Sequence, residues 1–228
     1  MGGIIAAVLA LIFCVWAQWN VKHTYSKYSQ IQNARGLTGA QVARTILDMN
    51  GLTYVGVEHI SGELTDHYDP TTQTVRLSDA TFGETSVAAL GVAAHECGHA
   101  VQHSQNYQPL LWRSKVFPLA NIGSRFWYII FIVGSLLASF GAKFGGTLIW
   151  ASVILFGAVT LFQIVTLPVE FDASKRAMNI LEVEGFLESN DEIKGARKVL
   201  QAAAMTYVAS LVNSIIQLLR LLASTRRR

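Results

Sequence analysis

The chain has 228 residues, 51% of them hydrophobic and only 14% charged, with a net charge of +3 and a mean hydropathy of +0.35. An ordinary soluble domain carries about 25% charged residues, so the composition excludes a typical soluble protein and points to one domain with a few membrane spans. The mild basicity forms no stripe interleaved with aromatics, which excludes a nucleic-acid footprint and suits an orientation signal at a membrane surface.

In chain order, residues 3–19 form an uncharged run, GIIAAVLALIFCVWAQW, close to the about 20 apolar residues that span a bilayer as a helix. The start MGG lacks Lys and Arg, so a retained anchor over residues 1–21 is expected rather than a cleaved signal peptide. Phe13, just before Cys14, argues against lipidation. Leu37 to Asn50 has helical spacing, with Val42, Ile46 and Met49 as the expected buried stripe and Gly51 as the stop. Tyr54, Val55 and Val57 read as a short strand. Leu64–Asp69 and Thr74–Ser78 flank Pro70-Thr-Thr-Gln as a hairpin. Ser86 to Ser104 reads as a helix.

Two further apolar runs, 126–140 and 147–167, are joined by GAKFGG and predict an antiparallel transmembrane hairpin. Pro168 is expected to break the second of these helices or to start the next. Residues 169–206 read as amphipathic helix. The last apolar stretch, 207–223, is short for a span and contains Arg220, which is costly inside a bilayer. It is expected to pack on the domain or lie in the interface. The organisation is thus an anchor (1–21), a region with the hairpin and the Ser86–Ser104 helix (22–125), a transmembrane hairpin (126–167) and a C-terminal region (168–228). The fold class is a mainly α membrane protein with a small β-hairpin or sheet and about three transmembrane helices.

The chemistry centres on His95-Glu96-Cys97-Gly98-His99. Histidines four apart on a helix share a face, about 6 Å apart along the axis, so both imidazoles can reach one zinc ion. Glu96 can then take the proton of the attacking water and pass it to the leaving amine. An HExxH pattern also arises by chance on surface helices. Here the flank VAALGVAA is apolar and places the histidines on a buried helix, where unpaired polar groups are costly. Gly98 keeps the helix slim beside the metal. Cys97 lies two residues from each histidine, on another face, and reads as a packed small residue. Cys14 and Cys97 give no disulfide framework.

A catalytic zinc needs a third protein ligand and one open position. His103 lies about 12 Å from His95 along a continuous helix, too far to share the ion, and reads as a core or supporting residue. Glu170 is the better candidate: two spans return the chain to the side of the membrane that carries the HECGH helix. Its bland alternative is an ordinary helix N-terminal acid after Pro168. Asp172 would face elsewhere, whereas Ser174 shares the Glu170 face and can support a ligand from behind.

With these motifs in view, AAHECGHAVQH, LTDHYDP…VRLSD, LPVEFDASKRA and VLQAAAMTYVAS resemble the YugP-type membrane zinc metallopeptidases over nearly the whole chain. The arrangement is also similar to gluzincins of the HtpX and CAAX prenyl protease type, whose glutamate ligand opens an E-x-x-A-D pattern. The resemblance implies His95, His99 and Glu170 as zinc ligands and Glu96 as the catalytic carboxylate. This chain departs at Ser174, which stands where those relatives carry the aspartate.

The expected function is a membrane-bound, zinc-dependent endopeptidase. Its partners would be a polypeptide substrate and the lipid bilayer, with no nucleic acid. Strand Thr74–Ser78 is a candidate edge for substrate pairing, and Tyr207, His67 and Arg76 are candidate oxyanion donors. Two other readings compete. A site-2-type intramembrane protease would need an LDG-like motif, which does not occur. A non-enzymatic zinc scaffold would need a closed site of four ligands. Lys22, Lys27, Arg35, Arg44, Arg113, Lys115, Arg125, Lys175 and Arg176 flank the spans on one side, against Lys143 alone in the 141–146 link. The catalytic side is therefore expected to be cytoplasmic, in a bacterial plasma membrane.

Overall fold

The computed structural model describes residues 2–225. Its helices are α1 (Gly2–Tyr28), α2 (Gly39–Met49), α3 (Asp79–Phe82), α4 (Val87–Ser104), α5 (Gln108–Ser139), α6 (Lys143–Val183) and α7 (Asn190–Thr225). Its strands are β1 (Gly56–Ile60), β2 (His67–Asp69) and β3 (Thr74–Ser78). These elements form two compact units. One comprises residues up to 16, 109–167 and from 207 onward; the other comprises 17–108 and 168–206.

The first unit is helical. Helices α5 and α6 pack closely because glycines remove side chains from the contact. A Cβ at Gly134 would lie 2.8 Å from the Leu148 Cβ, and one at Gly145 would run into the Ala138 backbone. Small residues at such crossings let helix backbones approach where lipid supplies no hydrophobic drive. Val153, Phe156 and Leu221 pack together at its core. Ile4, Leu9, Ile129, Leu136 and Ile154 are among the many large apolar side chains left exposed.

Four helices of the chain are long and apolar enough to cross a membrane, one more than the sequence reading counted. The addition is α7. Its apolar stretch alone is short, but it continues a helix that starts at Asn190, giving 36 residues in all. The three terminal arginines lie outside the described residues.

The second unit sets a three-stranded sheet, in the order β1-β3-β2, against helices. β3 pairs parallel with β1 and antiparallel with β2. The expected hairpin is present, but β3 is the central strand and so has no free edge; the outer strands are β1 and β2. The core joins Val42, Ile46 and Leu47 of α2, Val75 and Leu77 of β3, and Leu90, Ala94, Cys97 and Val101 of α4. Ala177 and Leu181 of α6 and Ala196 and Leu200 of α7 complete it.

On α2, Val42 and Ile46 are fully buried as expected, but Met49 is 50% exposed. The buried stripe instead runs through Ala43 and Leu47, and the helix ends at Met49. Thr38 caps α2 in a reciprocal capping box with Gln41, and Gly51 follows in a left-handed conformation, φ +73°.

Helix α6 runs through Pro168 without a break, against the expectation that this proline would end or start a helix. Pro168 offers no N–H to the carbonyl four residues earlier, but packing carries the helix on. Val169, Ala173, Ala177 and Leu181 are all fully buried. Helix α6 meets α4 at close quarters. A Cβ at Gly98 would lie 2.8 Å from the Ala173 carbonyl oxygen and 3.2 Å from its Cα. Gly98→Ala therefore forces backbone to move and should cost about 1–3 kcal/mol, read as a lower thermal midpoint of the detergent-purified protein. An unchanged midpoint would show that the crossing is looser than this packing implies.

Candidate metal centre

Helix α4 is built almost entirely from small and apolar residues up to its histidines, and it is buried along most of its length. Ser86 caps it by accepting a hydrogen bond from the Ala89 N–H at 3.1 Å. The helical period puts His95 and His99 on the face that meets α6, their rings 4.8 Å apart. The opposing face of α6 carries Glu170, Ala173 and Ser174, at spacings of three and four residues. Because Gly98 sits against Ala173, the short imidazoles and the glutamate meet between the helices.

Glu170 is 2% exposed. Its Oε2 lies 3.3 Å from the Nε2 of His95 and 3.6 Å from the Nε2 of His99. One ligand atom from each of the three residues falls within 4.8 Å of the others. This is the metal-capable group among the described residues. The ordinary-acid alternative for Glu170 does not describe this position, which lies deep within a long helix.

The far side of each ring is held. His95 Nδ1 is 3.1 Å from the Ser174 hydroxyl. His99 Nδ1 is 3.0 Å from Oε1 of Gln102. Gln102 is fully buried, and its amide nitrogen donates to the Val169 carbonyl at 2.8 Å and to Asp172 Oδ2 at 2.9 Å. Both of those partners only accept, so the amide cannot be flipped, and Oε1 must face the imidazole. His99 therefore carries its proton on Nδ1 and offers a lone pair at Nε2. Asp172 in turn accepts from Arg176 Nε at 2.5 Å, and Arg176 also donates to Gln105 Oε1 at 2.7 Å.

Burial alone would lower the His99 pKa, but its hydrogen bond to the Glu170 carboxylate and the charges of Glu96 and Glu170 outweigh it and raise it. The same negative charge that holds a proton there holds a cation. Two imidazole nitrogens and one carboxylate oxygen, oriented from behind, are the donor types that an open zinc site uses. The residues present fit that ion.

Glu96 follows His95 and is 8% exposed. Its Oε2 accepts the backbone N–H of Tyr68, on β2, at 3.0 Å. The Tyr68 hydroxyl is hydrogen-bonded with His103 Nδ1 at 2.9 Å, and burial pushes the Tyr68 pKa up to about 12. β2 is thus tied to α4 at two points, and His103 serves the strand rather than the triad. Cys97 is buried with its thiol directed to the Ala43 carbonyl at 3.5 Å; burial, first, and the Glu96 charge raise its pKa.

Of the residues read from sequence, His95, His99 and Glu170 come together. Asp172 stands behind them, acting through Gln102. Arg76 is engaged by Asp69 at 2.8 Å and by Glu58 at 3.2 Å, and His67 Nδ1 meets the Thr65 carbonyl at 2.8 Å. Gln102 and the Tyr68 N–H were missed. Gln102 had a signal: a long polar side chain three residues after His99 on a helix whose flank is apolar. The Tyr68 contact is made by backbone and has no sequence signature.

Residues 3–226 match the family described as "Putative neutral zinc metallopeptidase", and the chain belongs to that family. Zinc is accordingly its cofactor. The chain is also 47% identical over 217 residues to a protein of Bacillus subtilis (strain 168) named "Putative membrane protease YugP". That similarity covers 95% of this chain and 93% of the relative. No solved structure matches the chain significantly.

The hydrogen bonds behind the triad yield a graded expectation for zinc affinity, measured with a competing chelator. Glu170→Gln should weaken binding most, since an amide oxygen is a poor zinc ligand. Gln102→Leu should cost about 10–100-fold by freeing the His99 ring. Asp172→Asn should cost less, because its side-chain oxygen still accepts from Gln102. Loss of zinc in Asp172→Asn with retention in Glu170→Gln would reverse the ligand assignment.

Proposed function

We propose that this chain is a membrane-embedded zinc endopeptidase with His95, His99 and Glu170 as ligands and Glu96 as general base. The observation that carries the reading is the convergence of three ligand atoms within 4.8 Å, directly beside Glu96 in the chain. Zinc, when bound, would supply Lewis-acid polarisation to a peptide carbonyl and to water. The chain's own residues supply the rest. Glu96 is held by the Tyr68 N–H through one oxygen, and its carboxylate takes the proton of the attacking water and returns it to the leaving amine. Ser174 and Gln102 keep the two imidazoles aligned.

Substrate binding is proposed at β2. Tyr68 faces Val75 of β3, yet its N–H goes to Glu96, so this pair is of the non-hydrogen-bonded kind and its polar backbone groups point off the sheet edge. Because Glu96 occupies that N–H, an extended polypeptide would pair there through the Tyr68 carbonyl. A non-enzymatic scaffold with a closed zinc site would need a fourth protein ligand. The metal-capable group among the described residues supplies three.

Membrane embedding is supported by the apolar helices, whose best windows are largely exposed, and by the name of the Bacillus relative. The excess of Lys and Arg around residues 22–44, 113–125 and 175–176 supports a cytoplasmic catalytic side.

Two measurements test these proposals. Glu96→Gln should keep its zinc but lose several orders of magnitude in hydrolysis of an unfolded substrate. Near-normal hydrolysis by the zinc-loaded variant would end the mechanism. For topology, single cysteines at 30, 65 and 146 should be labelled from outside intact cells only at 146, where nothing lies within 4 Å of an added Cβ. Labelling at 30 and 65 would reverse the orientation.

A further inference from the structure

A second site lies away from the metal centre, between the polar end of α1 and the first half of α7. There Tyr28 of α1 packs against Gly195 of α7, where any Cβ would lie 2.7 Å from the Tyr28 ring, and Val199 joins the same contact. Beside this contact the helices leave a groove of about 320 Å³. Buried Tyr28 and Ala202 line it together with exposed Lys27, Lys198 and His23. Asn20, Thr24 and Gln201 add hydrogen-bonding groups, and no carboxylate is among the lining residues. Among the described residues neither Lys27 nor Lys198 has an ion pair. Lys27 only approaches the face of the Tyr28 ring, 5.6 Å from its centroid.

Two ammonium groups and an imidazole around polar donors, without a counter-charge, form a site for an anion of phosphate type. Its position selects the source. The uncharged run of α1 ends at Trp19, immediately before Asn20, and the last apolar stretch of α7 begins at 207, just after Met205 of the groove. Trp19 is 59% exposed and stacks on His23, with ring centroids 5.0 Å apart and planes within 8°. An exposed tryptophan at the end of an apolar helix marks the membrane–water boundary, and basic pockets between spanning helices at that level take lipid headgroups.

We infer that this groove binds the phosphate headgroup of an anionic phospholipid. The inference rests on the membrane embedding proposed above, which resistance to alkaline carbonate extraction tests separately. The binding test uses the full-length, zinc-loaded protein in maltoside micelles, titrated with short-chain phosphatidylglycerol, short-chain phosphatidylcholine and inorganic phosphate, with thermal stability as the readout. Phosphatidylglycerol should stabilise at the lowest concentration, and Lys27→Gln/Lys198→Gln should weaken that affinity about tenfold or more with zinc content unchanged. Equal binding of phosphatidylcholine would overturn the inference, as would an unaffected double variant. Inorganic phosphate binding as tightly as the lipid would overturn it in favour of a soluble anion.

Discussion

The close approach of α4 and α6 at Gly98 and Ala173 is the constraint on which the centre depends. Packed helices ordinarily lie about 8–10 Å apart, set by the side chains between them. Here one side of the contact has no side chain and the other has a methyl group, so the backbones meet directly. That lets an imidazole from one helix and a carboxylate from the other converge with little chain length to spare. It also places the alanine of Glu170-Phe-Asp-Ala-Ser and the glycine of His95-Glu-Cys-Gly-His in one physical contact, although they lie far apart in sequence. Those two small residues are as much a part of the proposed site as the residues that touch the metal.

The groups behind the proposed ligands are neutral. Ser174 stands behind His95 and Gln102 behind His99, where carboxylates often stand in zinc enzymes. Asp172 is turned away from the imidazoles and neutralised by Arg176, which leaves Glu96 as the nearby negative charge outside the proposed ligands. Glu170 is then the one anionic member of the donor set, and less negative charge is returned to the ion than a carboxylate-backed site would give. A weakly compensated divalent ion is a stronger Lewis acid, which suits attack on an amide. Ser174 therefore backs His95 with a neutral hydroxyl at hydrogen-bonding distance.

Much of this was legible in the chain because the signals were local or periodic. Two histidines four apart, an acid after the first and an apolar flank define α4, and alternating residues around Pro70 define the hairpin. Glu170 was legible only by combining ligand number with the return of two spans. What could not be read is what tertiary contact decides. Pro168 looked like a boundary because local rules penalise it, but the packing of Val169 through Leu181 overrides them. β3 looked like an edge because its parallel pairing with β1 joins strands that are not consecutive in the chain. The terminal apolar stretch was read by its own length, whereas it belongs to a helix that begins in polar sequence at Asn190.

X-ray absorption at the zinc edge, on the purified full-length protein, tests the central claim most directly. The account predicts one zinc per chain with an inner shell of nitrogen and oxygen alone, at about 2.0–2.2 Å, including the outer-shell scattering of two imidazoles. A sulfur neighbour at about 2.3 Å would put Cys97 at the metal, and a single imidazole would remove one of the histidines; either result would contradict the centre described here.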